Sequence, residues 1–242
     1  MKPSLLFDSW IIAVKEWREW CAVRGRLGWG ALVALIVAWS IVAPHLLGQL
    51  EAGPLIVALL LAALPLTLSG VMITDSLAGE RERQTLETLL ASRLPDRAII
   101  LGKVIAVTAA GWALLLLGML PGVLQHLVVR ITGFEDFDLL AMAFGLIAVS
   151  APCIILIVIV GALISLFMPN ARFALLMTIA FVGSFVLVAS GLAIWWATQS
   201  GSYVEQVVPS LGTLGLVVMA FDAFLLILLL MSVHRDRLLA IR

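Results

Sequence analysis

Three features of this sequence carry groups able to do chemistry. Asp222 lies within an apolar run, Met219-Ala220-Phe221-Asp222-Ala223-Phe224, and Asp75 lies at the end of another. Two carboxyls that share a proton can activate water, which is the chemistry of an intramembrane aspartyl protease. Such proteases carry Gly-x-Gly-Asp around one aspartate, and Ala220-Phe221-Asp222 does not match. A charge inside an apolar span costs about 2.5–3.5 kcal/mol on insertion scales, so Asp222 is expected to face protein or water. Three roles stay open for it: a polar point on a translocation path, a proton site, or a buried carboxyl that ties helices together. Asp75 fits a solvated helix end. His45, His126 and His234, like Cys21 and Cys153, show no metal-ligand spacing, so no metal site is expected. The third feature is the densely charged segment Gly79-Glu80-Arg81-Glu82-Arg83-Gln84-Thr85-Leu86-Glu87-Thr88-Leu89-Leu90, set between two long apolar runs.

The elements that must hold these residues follow from composition. The chain has 242 residues, 63% hydrophobic and 12% charged, whereas soluble domains have about 45–50% apolar and about 25% charged residues. This is the composition of an integral membrane protein. The apolar runs are continuous rather than alternating, which selects helices over an outer-membrane barrel. Six runs approach or exceed the length that crosses a bilayer: 31–47, 54–74, 98–124, 139–168, 171–197 and 207–233. All 15 Lys and Arg residues except Arg130 fall on one side of this arrangement. That side is expected to be cytoplasmic and to hold both termini. The zero net charge gives no sign of nucleic-acid binding.

Ahead of the first run, residues 4–26 read as an amphipathic helix lying in the membrane interface. Leu6, Trp10, Ala13, Val14, Trp17, Trp20 and Cys21 form one arc, and Asp8, Lys15, Arg18 and Glu19 the opposite one. Residues 79–94 read as a short cytoplasmic helix. Leu86, Leu89, Leu90 and Leu94 make one apolar stripe towards the bundle, with the charged side turned outward. Pro95 stops this helix, and Asp96 is placed to cap the next. Pro65 and Pro152 are expected to kink their helices. Gly111, Gly118, Gly161, Ser165, Gly183 and Ser184 are expected to permit close helix approach.

The string Ala78-Gly79-Glu80-Arg81-Glu82-Arg83-Gln84-Thr85-Leu86-Glu87-Thr88-Leu89-Leu90-Ala91-Ser92, followed by Ile99-Ile100-Leu101-Gly102-Lys103, resembles the signature of ABC-2 type transporter permeases. That family has a Gly-Glu-x-Glu-x-Gly-Thr-Leu-Glu-x-Leu-Leu core after its second span and Leu-Gly-Lys at its third. Gln84 departs from the pattern where the family has glycine, and as a good helix former it extends the helix.

The resemblance implies an all-α permease of six spans, with the interfacial helix and a coupling helix over 79–94. It implies an exporter subunit in the cell inner membrane that pairs with a second copy or a paralogue. A separate ATP-binding cassette ATPase would be contacted through Gly79, Glu80, Arg81, Glu82, Arg83, Thr85, Leu86, Glu87, Leu89 and Leu90. A haem-exporter-like permease of cytochrome c maturation is a related alternative. A proton-coupled secondary transporter using Asp222 is an unrelated one. The chain shows no ATP site of its own: Gly102-Lys103 is followed by Val104 and lacks the upstream glycine of a P-loop. ATP is therefore expected on the partner, no cofactor is expected on this chain, and membrane lipid is its surroundings.

Overall fold

A computed structural model describes residues 5–48, 54–82, 95–131, 139–168, 170–199 and 203–232. Seven α-helices account for nearly all of them: α1 (Leu5–Gly48), α2 (Pro54–Thr74), α3 (Glu80–Glu82), α4 (Asp96–Ile131), α5 (Leu139–Phe167), α6 (Ala171–Gln199) and α7 (Tyr203–Ser232). A π-helical turn, Asp75–Gly79, joins α2 to α3 without a break. There is no strand among the described residues. The long apolar stretches form helices because a helix satisfies its backbone within one segment, as a hydrocarbon surrounding demands. Pro54 opens α2 at a position where its missing N–H costs nothing. The Pro95 carbonyl accepts from the N–H groups of Ala98 and Ile99 at 2.8 and 3.3 Å, so α4 starts on that carbonyl. Asp96 is not its cap but lies in its first turn, where a carboxylate suits the helix dipole.

Five helices among the described residues are long and apolar enough to cross a membrane, over Ala62–Glu82, Asp96–Pro121, Val149–Phe167, Ala171–Ala189 and Gly215–Ser232. Gly30–Val42 is a shorter apolar stretch inside α1. The first three windows are 61–67% buried and the last two only 17%. Thus α2, α4 and α5 make the interior, while α6 lies mainly against α2 and α7 mainly against α5. Small residues bring the inner helices together. A Cβ at Gly161 on α5 would meet Ile73 Cγ2 of α2 at 2.7 Å, and one at Gly111 on α4 would run into the Ser69 hydroxyl and Ile154 Cγ2. Ile73, Val107, Ile154, Ile157 and Val158 fill the space between them and are inaccessible to solvent or nearly so.

Where the sequence predicts two helices, 4–26 and 31–47, α1 is continuous over 44 residues. At 1.5 Å per residue that is about 66 Å, roughly twice the hydrocarbon thickness of a bilayer. Its first half has three faces rather than two. Ser9, Ile12, Ala13 and Glu16 are buried, Leu6, Phe7, Trp10, Ile11 and Trp17 are exposed, and Lys15, Arg18 and Glu19 form an exposed charged strip. The expected apolar arc is therefore split: Leu6, Trp10 and Trp17 are turned away from the bundle, whereas Ala13 is buried and Trp20 packs against the core. A separate set of residues, Glu16 among them, packs against α4. Asp8, expected on the polar arc, is buried.

Candidate functional site

Five charged residues among those described, Glu16, Glu80, Arg81, Glu82 and Lys103, gather at one end of the bundle, where α2 ends and α4 begins. Lys103 lies in the second turn of α4, within Ile100-Leu101-Gly102-Lys103-Val104, and its side chain has no exposed surface. An ammonium in that position needs counter-charge and acceptors. It has both. Its Nζ lies 2.7 Å from Glu16 Oε1 on α1 and 2.8 Å from Glu80 Oε1 on α3. It also donates towards the carbonyl and the hydroxyl of Ser76, each at 3.0 Å. The Ser76 hydroxyl in turn donates to Glu16 Oε2 at 3.4 Å.

Local structure explains how these groups meet. The π turn widens the helix and loosens its i→i−4 ladder, and within it the Ser76 carbonyl is taken up by Lys103. On the other side, Gly102 lets α1 come close. A Cβ there would stand 2.6 Å from the Ser9 carbonyl oxygen and 2.7 Å from Ile12 Cβ. Glu16, one turn beyond Ile12 on the same face of α1, is thereby carried to the next residue of α4, Lys103.

The next two residues after Glu80 reach in another direction. Arg81 donates through Nη2 to the Met168 carbonyl at the end of α5. Glu82 Oε1 accepts from the N–H of Ala171, the first residue of α6, at 2.6 Å. A cation thus closes the C-terminal end of one helix and an anion the N-terminal end of the next, both as the helix dipole favours. One turn deeper, the Thr74 hydroxyl donates to Thr178 Oγ1 at 3.0 Å and joins α2 to α6. Glu80-Arg81-Glu82 is therefore the point from which α4, α5 and α6 are held directly and α1 through Lys103.

Several sequence expectations need correction here. Glu80 and Arg81, expected on the outward charged side, are half-buried and engaged by the bundle itself, while Glu82 is exposed and still accepts from Ala171. Gly79 is buried in the π turn. Arg83, Thr85, Leu86, Glu87, Leu89 and Leu90 lie outside the described residues, as does the rest of the expected coupling helix. Asp222 is far along the chain from this cluster and buried on α7, while Asp75 is exposed. Glu16, Ser76 and Lys103 were not singled out from the sequence as a cluster. The available signal was Lys103 itself, a lysine inside an apolar helix, which calls for a partner.

The carboxylates of Glu16, Glu19 and Glu80 have oxygens within 4.8 Å of one another. Lys103 already supplies the positive charge for two of them. No family model and no curated protein matches this chain.

Proposed function

We propose that this chain is the membrane-spanning permease subunit of an ATP-binding cassette transporter of the ABC-2 type, an exporter in the cell inner membrane. In this reading it has six spans. The first is the second half of α1, both termini are cytoplasmic, and the charged end of the bundle faces the cytoplasm. A second copy or a paralogue completes the pore. A separate ATPase subunit binds ATP and presses on residues 79–94.

The observation that carries the reading is the position of Glu80-Arg81-Glu82. The tripeptide belongs to the motif on which the resemblance rests, and it opens the segment expected to meet the ATPase. It is also bonded directly to α4, to the Met168 carbonyl at the end of α5 and to α6, and it reaches α1 through Lys103. A push delivered to the following residues would reach α4 and α1 through Lys103, and α5 and α6 through Met168 and Ala171. That is the mechanical linkage a coupling segment requires, since a packed bundle responds by switching between discrete arrangements. The pairing of Glu80 with Lys103 also gives a physical reason for two parts of the motif, Gly-Glu and Leu-Gly-Lys, to occur together.

The test uses the chain purified from its native membrane after mild cross-linking. A P-loop ATPase, identified by mass spectrometry, is expected in stoichiometric amount. Its hydrolysis rate in liposomes is expected to change when the permease is present. Glu87→Lys should weaken that association while leaving the helix content intact. Purification without any P-loop ATPase, together with transport that needs no ATP, would overturn the assignment.

A further inference from the structure

Asp222 sits on α7, one of the two helices least covered by the rest of the chain, yet the residue is only 4% exposed. Neither of its carboxyl oxygens has a hydrogen-bond partner among the described residues. The helix packed most closely against α7 is α5, whose sequence from Leu139 to Phe167 contains no charged residue. Cys153 is the titratable side chain that α5 offers, and it is buried. From Leu216 to Ser232, α7 itself brings no other titratable group, and α6 carries only Arg172, exposed in its first turn.

An ionised carboxylate in such surroundings has neither donors nor a counter-ion, whereas a carboxyl that keeps its proton is neutral and can remain there. A proton removes this charge without needing any further ligand. We propose that Asp222 is a proton-binding site within the membrane, filled while α7 lies against α5 and emptied when α7 moves away and water reaches the carboxyl. In the emptying step the O–H bond breaks, the proton passes to water and the electron pair stays on the carboxylate, which water then solvates. The site requires no nucleotide and does not rest on the permease reading.

Infrared difference spectra of the full chain in lipid nanodiscs, wild type minus Asp222→Asn, test the first half of the proposal. At neutral pH the wild type is expected to show the C=O stretch of a protonated carboxyl, shifted in heavy water and lost as the pH is raised. Asp222→Glu keeps a carboxyl and should move the band; it supplies the comparison should Asp222→Asn fail to fold. Backbone hydrogen exchange over Val218–Leu226 tests the second half. Corrected for intrinsic exchange, protection should be lost over the same pH range in wild type and stay constant in Asp222→Asn. Absence of the acid band at neutral pH overturns the proposal, and so does exchange that follows pH equally in both proteins.

Discussion

The ammonium of Lys103 and the carboxylate of Glu16 meet at 2.7 Å, with side chains 0% and 3% exposed. Lys103→Met would leave Glu16 and Glu80 as like charges in a site from which water is largely excluded. Losing one partner of a buried pair costs about 3–5 kcal/mol, and a stability loss of that order is expected. Adding Glu16→Gln to Lys103→Met should recover part of it. Denaturant unfolding in detergent micelles measures both, and a single variant as stable as wild type would show that the pair contributes nothing.

Gly102 and Gly183 make a matched pair for substitution. A side chain at Gly102 presses on the Ser9 carbonyl, which belongs to backbone and cannot rotate away. Gly102→Val should force α1 from α4 and cost about 1–3 kcal/mol. Around Gly183 there is nothing within 4 Å. Gly183→Ala should be neutral or stabilise α6 by about 0.5–1 kcal/mol through helix propensity. Thermal melting of the two variants side by side checks the contrast.

Glu82→Ala removes the acceptor for the Ala171 N–H. Loss of a helix N-terminal acceptor costs about 0.5–2 kcal/mol. The effect should be local: faster hydrogen exchange in the first turn of α6, with α1 and α4 unchanged. Glu80→Gln should do the reverse, loosening the α4 side through Lys103 and sparing α6. Exchange that rises equally on both sides in both variants would contradict this division.

Thr178→Val leaves the Thr74 hydroxyl without its partner on α6, and its single proton then goes to the Gly70 carbonyl instead. A typical net hydrogen bond contributes about 0.5–1.5 kcal/mol, so a loss within that range is expected from unfolding midpoints.

The helical class was legible in the sequence because continuous apolar runs admit few other solutions in lipid. Close approach at Gly111 and Gly161 was legible from residue size alone. At Gly118 a Cβ would touch only Ile36 Cγ2 at 3.3 Å, and Gly183 meets nothing, since residue size does not say which face of a helix is covered. The charge cluster was not legible for another reason. Lys103 and Glu16 are separated by 87 residues and Ser76 and Glu16 by 60. Local periodicity reports which side of one helix is apolar, and it carries no information about which distant helix lies beside it. The same limit hid the third face of α1. The inward turn of Glu80 depends on the π turn before it, for which Asp75-Ser76-Leu77-Ala78-Gly79 gives no local signature.

That wide turn sets the angle at which everything after it emerges. Each residue of an α-helix turns the chain by about 100°, so tightening Asp75–Gly79 to ordinary winding would swing the three charges that follow around the axis together. Glu80 would leave Lys103 just as Arg81 and Glu82 lost Met168 and Ala171. One small rewinding would then act as a clutch, disengaging α4, α5 and α6 in a single stroke.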